Sequence, residues 1–328
     1  MSPVIEARSV GRTYRQQTNR RSFGANLGSL FKTSSVVVEA VKGISFQVAQ
    51  GEAIGYLGVN GAGKSTMIKM LTGILAPTSG SVAVFGRDPH KYRRSNAFQI
   101  GTVFGQRTQL WWDLPVIESL NLQRYLYGIE TNTFSRRLDE LIQGLDASSF
   151  VNRPARQLSL GQRMRGELIL TLLHEPRILF LDEPTIGLDV FGKDALRRFL
   201  RETNQKRATT IFLSSHDLGD VESICTRVML VDHGDLVFDD SLSQLGSSLS
   251  VERVAVVTFD SDPGELQLKE AEMLEDGGRI KKLRLLNPTL RPAELLGEIE
   301  KTAPVADLSI QRASTEDAIR SYLSRRSA

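Results

Sequence analysis

Gly58-Val59-Asn60-Gly61-Ala62-Gly63-Lys64-Ser65-Thr66 fits the spacing G-x-x-x-x-G-K-[ST], and its surroundings decide the fold. Ala53 to Leu57 before it reads as a buried strand, and Met67 to Leu71 after it as a helix. Three glycines let the backbone curl so that successive N–H groups and the helix N-terminus point at one anion. Asn60 and Thr66 complete that cradle. Lys64 is expected to reach the β- and γ-phosphates of a nucleotide and Ser65 to ligate Mg²⁺. A second element answers the first: Ile178-Leu-Phe-Leu-Asp182-Glu183 is an apolar run that ends in two carboxylates. Read alone, it is either a buried strand with a cation at its tip or the start of a solvated loop. Read with the glycine loop, Asp182 holds Mg²⁺ and Glu183 orients or deprotonates an attacking water.

The 328 residues carry 41 Lys+Arg and 38 Asp+Glu, a charged fraction of 24%, which is the texture of a folded chain and excludes disorder for most of it. The single cysteine, Cys225, excludes an intramolecular disulfide, and with four scattered histidines it excludes a Cys/His metal cluster. No uninterrupted apolar run reaches the roughly 18 residues needed to span a bilayer, and the N-terminus lacks an apolar signal region. The expectation is a protein that stays in the reducing cytosol. From Ala7 to Val38 there is no acid, while Arg8, Arg12, Arg15, Arg20, Arg21 and Lys32 all fall there. That basic surface faces phosphates, anionic lipid or water.

Around the two motifs the pattern alternates as in a parallel sheet: strands at Ile178 to Leu181 and Thr210 to Leu213 flank a helix from Gly192 to Gln205. Strands are also expected at Val4 to Arg8, Val36 to Val48 and Ser81 to Phe85, with residues 16–35 as an inserted basic loop. Leu27, Leu30 and Phe31 within it sit at helical spacing. From Ile100 to His174 the texture is mostly helical. Val228 to Asp232 and Leu236 to Asp239 form a hairpin turning at His233-Gly234. A boundary follows Asp240. Residues 241–328 then read as a Ser-rich linker and a small α+β domain with strands at 251–259, 280–286 and 305–311, a helix at 292–301 and a closing helix capped by Ser314 or Thr315.

Leu158-Ser159-Leu160-Gly161-Gln162, Pro184-Thr-Ile-Gly187-Leu-Asp189 and Ser214-Ser-His216-Asp217 stand in order after the glycine loop. With them, residues 3–240 resemble the nucleotide-binding subunit of an ATP-binding-cassette (ABC) transporter. The resemblance implies a P-loop NTPase core with an antiparallel β subdomain and a helical signature subdomain. It implies ATP and Mg²⁺ as ligands, and ATP hydrolysis as the activity. It places Ser159, Gly161 and Gln162 in the signature that closes over the partner subunit's ATP, although Leu160 stands where the pattern has glycine. His216 resembles the switch histidine at the γ-phosphate, and Gln106 the glutamine that reaches Mg²⁺ and the attacking water. Asp189 resembles the acid of the dimer-interface loop. Tyr14 resembles the aromatic that stacks on adenine, or it packs internally.

Because family geometry puts the P-loop and signature on opposite edges of one chain, the resemblance implies a head-to-tail dimer, by default a homodimer. It also implies a separate integral membrane permease, at the cytoplasmic face of the cell membrane. Trp111 and Trp112 either dock that permease or fill the helical core. Thr108-Gln-Leu-Trp-Trp-Asp-Leu-Pro115 and Ser314 to Leu323 resemble the branch of drug and polysaccharide exporters. The competing reading is a soluble ABC ATPase acting on ribosomes or nucleic acid. Such proteins carry two cassettes or long coiled-coil insertions, and this chain has neither, so no nucleic-acid partner is expected.

Overall fold

The structure is a computed structural model that describes residues 3–18, 34–105, 108–248, 253–264, 266, 268–287 and 290–312. They fall into two compact units, Met1–Ser241 and Leu242–Ala328. In chain order the first contains β1 (Ile5–Thr18), β2 (Ser34–Val48), β3 (Ala53–Gly58), α1 (Lys64–Leu71), β4 (Ser79–Val84), α2 (Arg93–Ala97), β5 (Ile100–Phe104), α3 (Val116–Tyr127), α4 (Thr131–Gly144), α5 (Leu160–Leu172), β6 (Ile178–Asp182), α6 (Val190–Arg207), β7 (Thr210–Ser215), α7 (Leu218–Ile224), β8 (Arg227–Asp232) and β9 (Asp235–Ser241).

A six-stranded sheet in the order β5-β6-β7-β3-β8-β9 forms the centre, parallel except for β9. Every residue of β3, β6 and β7 is buried, which is why these strands read as unbroken apolar runs rather than alternating ones. Tyr56, Phe180, Phe212 and Phe46 pack ring against ring at centroid distances of 5.4 to 6.4 Å. Each buried ring of this kind contributes roughly 2 kcal/mol. The register sets Phe104 beside Asp182, Asp182 beside Ser214 and Leu57 beside Ser215. Four strands therefore end on one level, and the loops that leave them share one edge.

The antiparallel sheet β2-β1-β4 corresponds to the expected β subdomain. Here the inserted loop needs correction: Gln16, Gln17 and Thr18 pair with Val36, Ser35 and Ser34, so both ends of the insertion belong to a two-stranded ribbon. Its remainder, with Leu27, Leu30 and Phe31, lies outside the described residues. The segment read as mostly helical opens with β5, whose five residues Ile-Gly-Thr-Val-Phe are too few to show a strand period. The hairpin turns at His233 and Gly234, both at positive φ (46° and 88°), the geometry a two-residue hairpin turn requires.

The second unit contains α8 (Leu242–Ser248), β10 (Arg253–Phe259), β11 (Ala271–Gly277), β12 (Ile280–Leu285), α9 (Pro292–Ile299) and β13 (Val305–Arg312). Its antiparallel sheet, in the order β11-β12-β10-β13, covers a core that includes Val257, Phe259, Leu283, Leu295 and Ile299. The serine-rich segment expected as linker is helical in α8, and β11 was not anticipated. The expected closing helix lies outside the described residues.

Candidate active site

β3 hands the chain to the glycine loop and α1. Gly61 and Gly63 take φ of 87° and 98°, and a Cβ on Gly63 would lie 2.1 Å from the carbonyl oxygen of Ala40 in β2. Only glycine fits there, because β2 presses its backbone on the loop. Asn60 is exposed and Ser65 and Thr66 are half-buried. Lys64 is only 6% exposed, and its Nζ donates to the carbonyls of Gly58 (2.7 Å) and Val59 (3.3 Å). It also lies 3.2 Å from Oε1 of Glu183, an ion pair without hydrogen-bond geometry.

At the tip of β6, Asp182 is buried and accepts a hydrogen bond from the Ser214 hydroxyl at 2.6 Å. Glu183 follows at φ 54°, turning its side chain toward the loop, and its N–H donates to Ser214 O at 3.1 Å. Glu183 Oε2 accepts from Nδ1 of His216 at 2.7 Å. A carboxylate thus stands between a lysine and a half-exposed imidazole, an arrangement chemically able to accept a proton from water. Asp182 and the Ser65 hydroxyl are hard oxygen donors, a set that suits Mg²⁺ when phosphate oxygens and water complete its shell. Among the described residues no group of three or more His, Cys, Asp or Glu forms a metal cage, and a phosphate-bound Mg²⁺ requires none.

The other expected residues lie apart from this group. Ser159 caps α5, its hydroxyl accepting from Gln162 N–H at 3.2 Å while the Gln162 side chain accepts from Ser159 N–H at 3.1 Å. Leu160 lies against Gly187, and Leu188 against Gly161, so signature and following loop pack together within one chain. Asp189 caps α6 by accepting from Gly192 N–H at 2.6 Å. Among the described residues no hydrogen bond joins Ser159, Gly161, Gln162 or Asp189 to Lys64, Glu183 or His216. Tyr14 sits on the ribbon opposite Val38, half-buried, with the Arg12 guanidinium 4.9 Å from its ring centre. Gln106 lies outside the described residues.

Trp111 and Trp112 are 51% and 47% exposed, so they do not fill the helical core. Arg163 lies over Trp112 at 4.6 Å. Sequence reasoning missed Glu167 and Asp220. Glu167 on α5 is buried and accepts from the Thr108 hydroxyl and from the Gln109 and Leu110 N–H groups, and burial raises its pKa. Asp220, fully buried, accepts from three donors on three segments and is ion-paired with Arg197. The only sequence signal for either was an acid on an otherwise apolar helix face.

Residues 41–186 match the family described as ABC transporter. Over 218 residues the chain is 32% identical to the ABC transporter ATP-binding protein NatA of Bacillus subtilis, covering 66% of this chain and 88% of that protein. The chain belongs to the ABC transporter ATP-binding proteins. As an ABC ATPase it binds ATP and hydrolyses it. It is also 31% identical over 247 residues to the bacitracin transport ATP-binding protein BcrA of Bacillus licheniformis, covering 73% of this chain and 78% of that one. To the methionine import ATP-binding protein MetN 2 of Enterococcus faecalis it is 31% identical over 256 residues, covering 76% and 74%. The ABC ATPase shares its fold with the dimeric bacterial cassette MJ0796, at a TM-score of 0.61 and 22% identity over 73% of this chain and 98% of that one. It does so too with cbiO1 of Clostridium perfringens, part of the transporter complex cbiONQ, at 0.59 and 23% over 75% and 92%. Among the described residues, no helix of the ABC ATPase is long and apolar enough to cross a membrane.

Proposed function

We propose that this ABC ATPase is the motor of an exporter, a homodimer on the cytoplasmic face of the cell membrane that drives a separate integral membrane permease. The observation that carries the reading is Glu183 held between Lys64 and His216. Lys64 and the N–H groups of the loop from Gly58 to Thr66 bind the β- and γ-phosphates. Phosphate oxygens compete with Glu183 for Lys64, which leaves Glu183 Oε1 to accept the proton of the attacking water. The water oxygen bonds to the γ-phosphorus as the bond to the bridging oxygen breaks, giving ADP and phosphate. His216 steadies Glu183 through Nδ1, and with both ring nitrogens protonated it donates from Nε2 to the γ-phosphate. Ser65, Asp182 and Gln106 would hold Mg²⁺, which neutralises charge on the phosphates. Tyr14 stacks on adenine.

The separation of Ser159, Gly161 and Gln162 from their own chain's Lys64 supports a composite site in which these groups act on the partner's ATP, with Asp189 on the shared interface. The exposed Trp111 and Trp112 support a docking surface for the permease. The unit Leu242–Ala328 is the accessory domain. Export follows the sequence resemblance of the Trp-bearing loop.

The test is to express tagged Glu183→Gln protein in its native cells, solubilise membranes with ATP and identify what copurifies, with Lys64→Ala as control. A multi-spanning apolar protein is expected, released by Trp111→Ala or Trp112→Ala. Ribosomal or DNA-bound proteins in its place would overturn the transporter reading. Transport by vesicles of known orientation carrying both subunits then fixes direction.

A further inference from the structure

α7 gives no residue to the phosphate loop, yet Asp220 on it is completely buried. One carboxylate oxygen, Oδ2, accepts from the Ser215 hydroxyl at 3.0 Å and from the Thr185 hydroxyl. The other, Oδ1, accepts from Arg197 Nε at 2.8 Å and lies 2.6 Å from Arg197 Nη2. A buried charge persists only when paired and hydrogen-bonded in this way. What matters is where the donors come from. Thr185 lies two residues after Glu183, Ser215 directly precedes His216, and Arg197 belongs to α6.

Two further contacts extend the arrangement. The Ser215 hydroxyl also accepts from the N–H of Asp217, so it fixes the backbone on both sides of His216. Lys193 and Arg197, one turn apart on α6, reach Asp217 at 2.7 and 3.4 Å. The helix they ride on begins at its cap, Asp189. A single carboxylate therefore ties the turn carrying Glu183 to the turn carrying His216, and ties both to the helix that starts at the expected interface loop.

We propose that Asp220 is a positioning residue for ATP hydrolysis, clamping Thr185, Ser215 and Arg197 so that Glu183 and His216 stay within hydrogen-bond reach. The proposal rests on the reading of Glu183 and His216 as the hydrolytic pair. Misplacing such a pair lowers turnover far more than binding, because most phosphate contacts come from the glycine loop and from Lys64, which the carbonyls of Gly58 and Val59 also hold. A merely structural ion pair would lower thermal stability and leave turnover of the folded protein unchanged.

The experiment uses the full chain with ATP, measuring kcat and KM by phosphate release, nucleotide affinity with a fluorescent ATP analogue, and thermal melting. Thr185→Val keeps the shape of the side chain and removes its donor, whereas Thr185→Ser keeps the donor. Thr185→Val and Asp220→Asn are each expected to lower kcat about tenfold or more, with KM and affinity within about twofold. Thr185→Ser should keep at least about half of the turnover. Adding Thr185→Val to Glu183→Gln should cost nothing further, since both act through one group. Equal wild-type turnover in Thr185→Val and Thr185→Ser, or a loss confined to KM, overturns the clamp. If Asp220→Asn does not fold, the two Thr185 variants decide alone. Should Glu183→Gln itself hydrolyse ATP normally, the pair has been misread and the clamp falls with it, an outcome distinct from a silent Thr185→Val beside an inactive Glu183→Gln.

Discussion

Nδ1 of His216 stands 2.7 Å from Oε2 of Glu183 although 33 residues separate them in sequence. β6 and β7 are parallel neighbours with Asp182 level with Ser214, so the next turn of each strand meets the other across the sheet edge. A carboxylate can only accept, so Nδ1 carries the proton of this bond, and Nε2 can donate to a phosphate oxygen only when the ring carries a second proton. Glu183→Gln is expected to lower phosphate release about 10² to 10⁴-fold while ATP binding persists. His216→Ala should lower kcat about 10²-fold. Single-turnover phosphate release and nucleotide titration on the same samples check both, and loss of binding in step with loss of turnover would refute the assignment.

The glycine loop offers a comparison within itself. Gly61 and Gly63 both have positive φ, but a Cβ on Gly61 meets nothing within 4 Å while one on Gly63 meets a backbone oxygen. Gly61→Ala should therefore cost only conformational strain, about 1 kcal/mol. Gly63→Ala should cost about 2 kcal/mol or more and abolish nucleotide binding, because Ala40 cannot yield without moving β2. Urea unfolding and ATP titration measure the difference, and equal costs would argue that β2 does not press on the loop.

These contrasts mark what the sequence carries and what it does not. β3, β6 and β7 were legible because full burial leaves an apolar run, and Asp182 and Glu183 stood out as charges ending one. β5 was not, because five residues with a glycine and a threonine resemble the helical segment that follows. α8 was hidden by serines, whose preference for loops is local and is overridden by packing. The candidate site was legible where a glycine loop or a charge ending an apolar run marks it. Asp220 was not, since its importance lies in partners on three segments that only the folded chain assembles.

The departure from the family pattern at Leu160 has a measurable partner. A Cβ at Gly187, where φ is 72°, would come 2.2 Å from Cδ2 of Leu160. Gly187→Ala should therefore destabilise the protein through strain and through displacement of Leu160. In a Leu160→Gly background only the strain remains, so the cost of Gly187→Ala should be smaller by about 0.5 kcal/mol or more. Urea midpoints of the four proteins give the coupling, and strict additivity would mean that Leu160 does not rest on Gly187.

His174 gives the clearest pH signature. Its ring stacks on Tyr127 at 4.1 Å between centroids, and Nε2, facing the carbonyl of Ile100 at 3.0 Å, must carry the proton. Nδ1 is buried without a hydrogen-bond partner. Burial holds the pKa below its ordinary 6.5, the Ile100 bond opposes that, and the nearby Arg137 charge adds to the lowering. Below pH 6.5 the unfolded chain therefore binds a proton that the folded one refuses, and the stability present above 6.5 is lost as pH falls through the folded pKa. Each tenfold difference in proton affinity is worth about 1.4 kcal/mol. His174→Gln keeps a donor for Ile100 and removes the titration, so the advantage of wild type over the variant in urea unfolding should shrink between pH 7.5 and 5.5. A gap that stays constant across that range would show that the imidazole takes up its proton equally well in the folded chain.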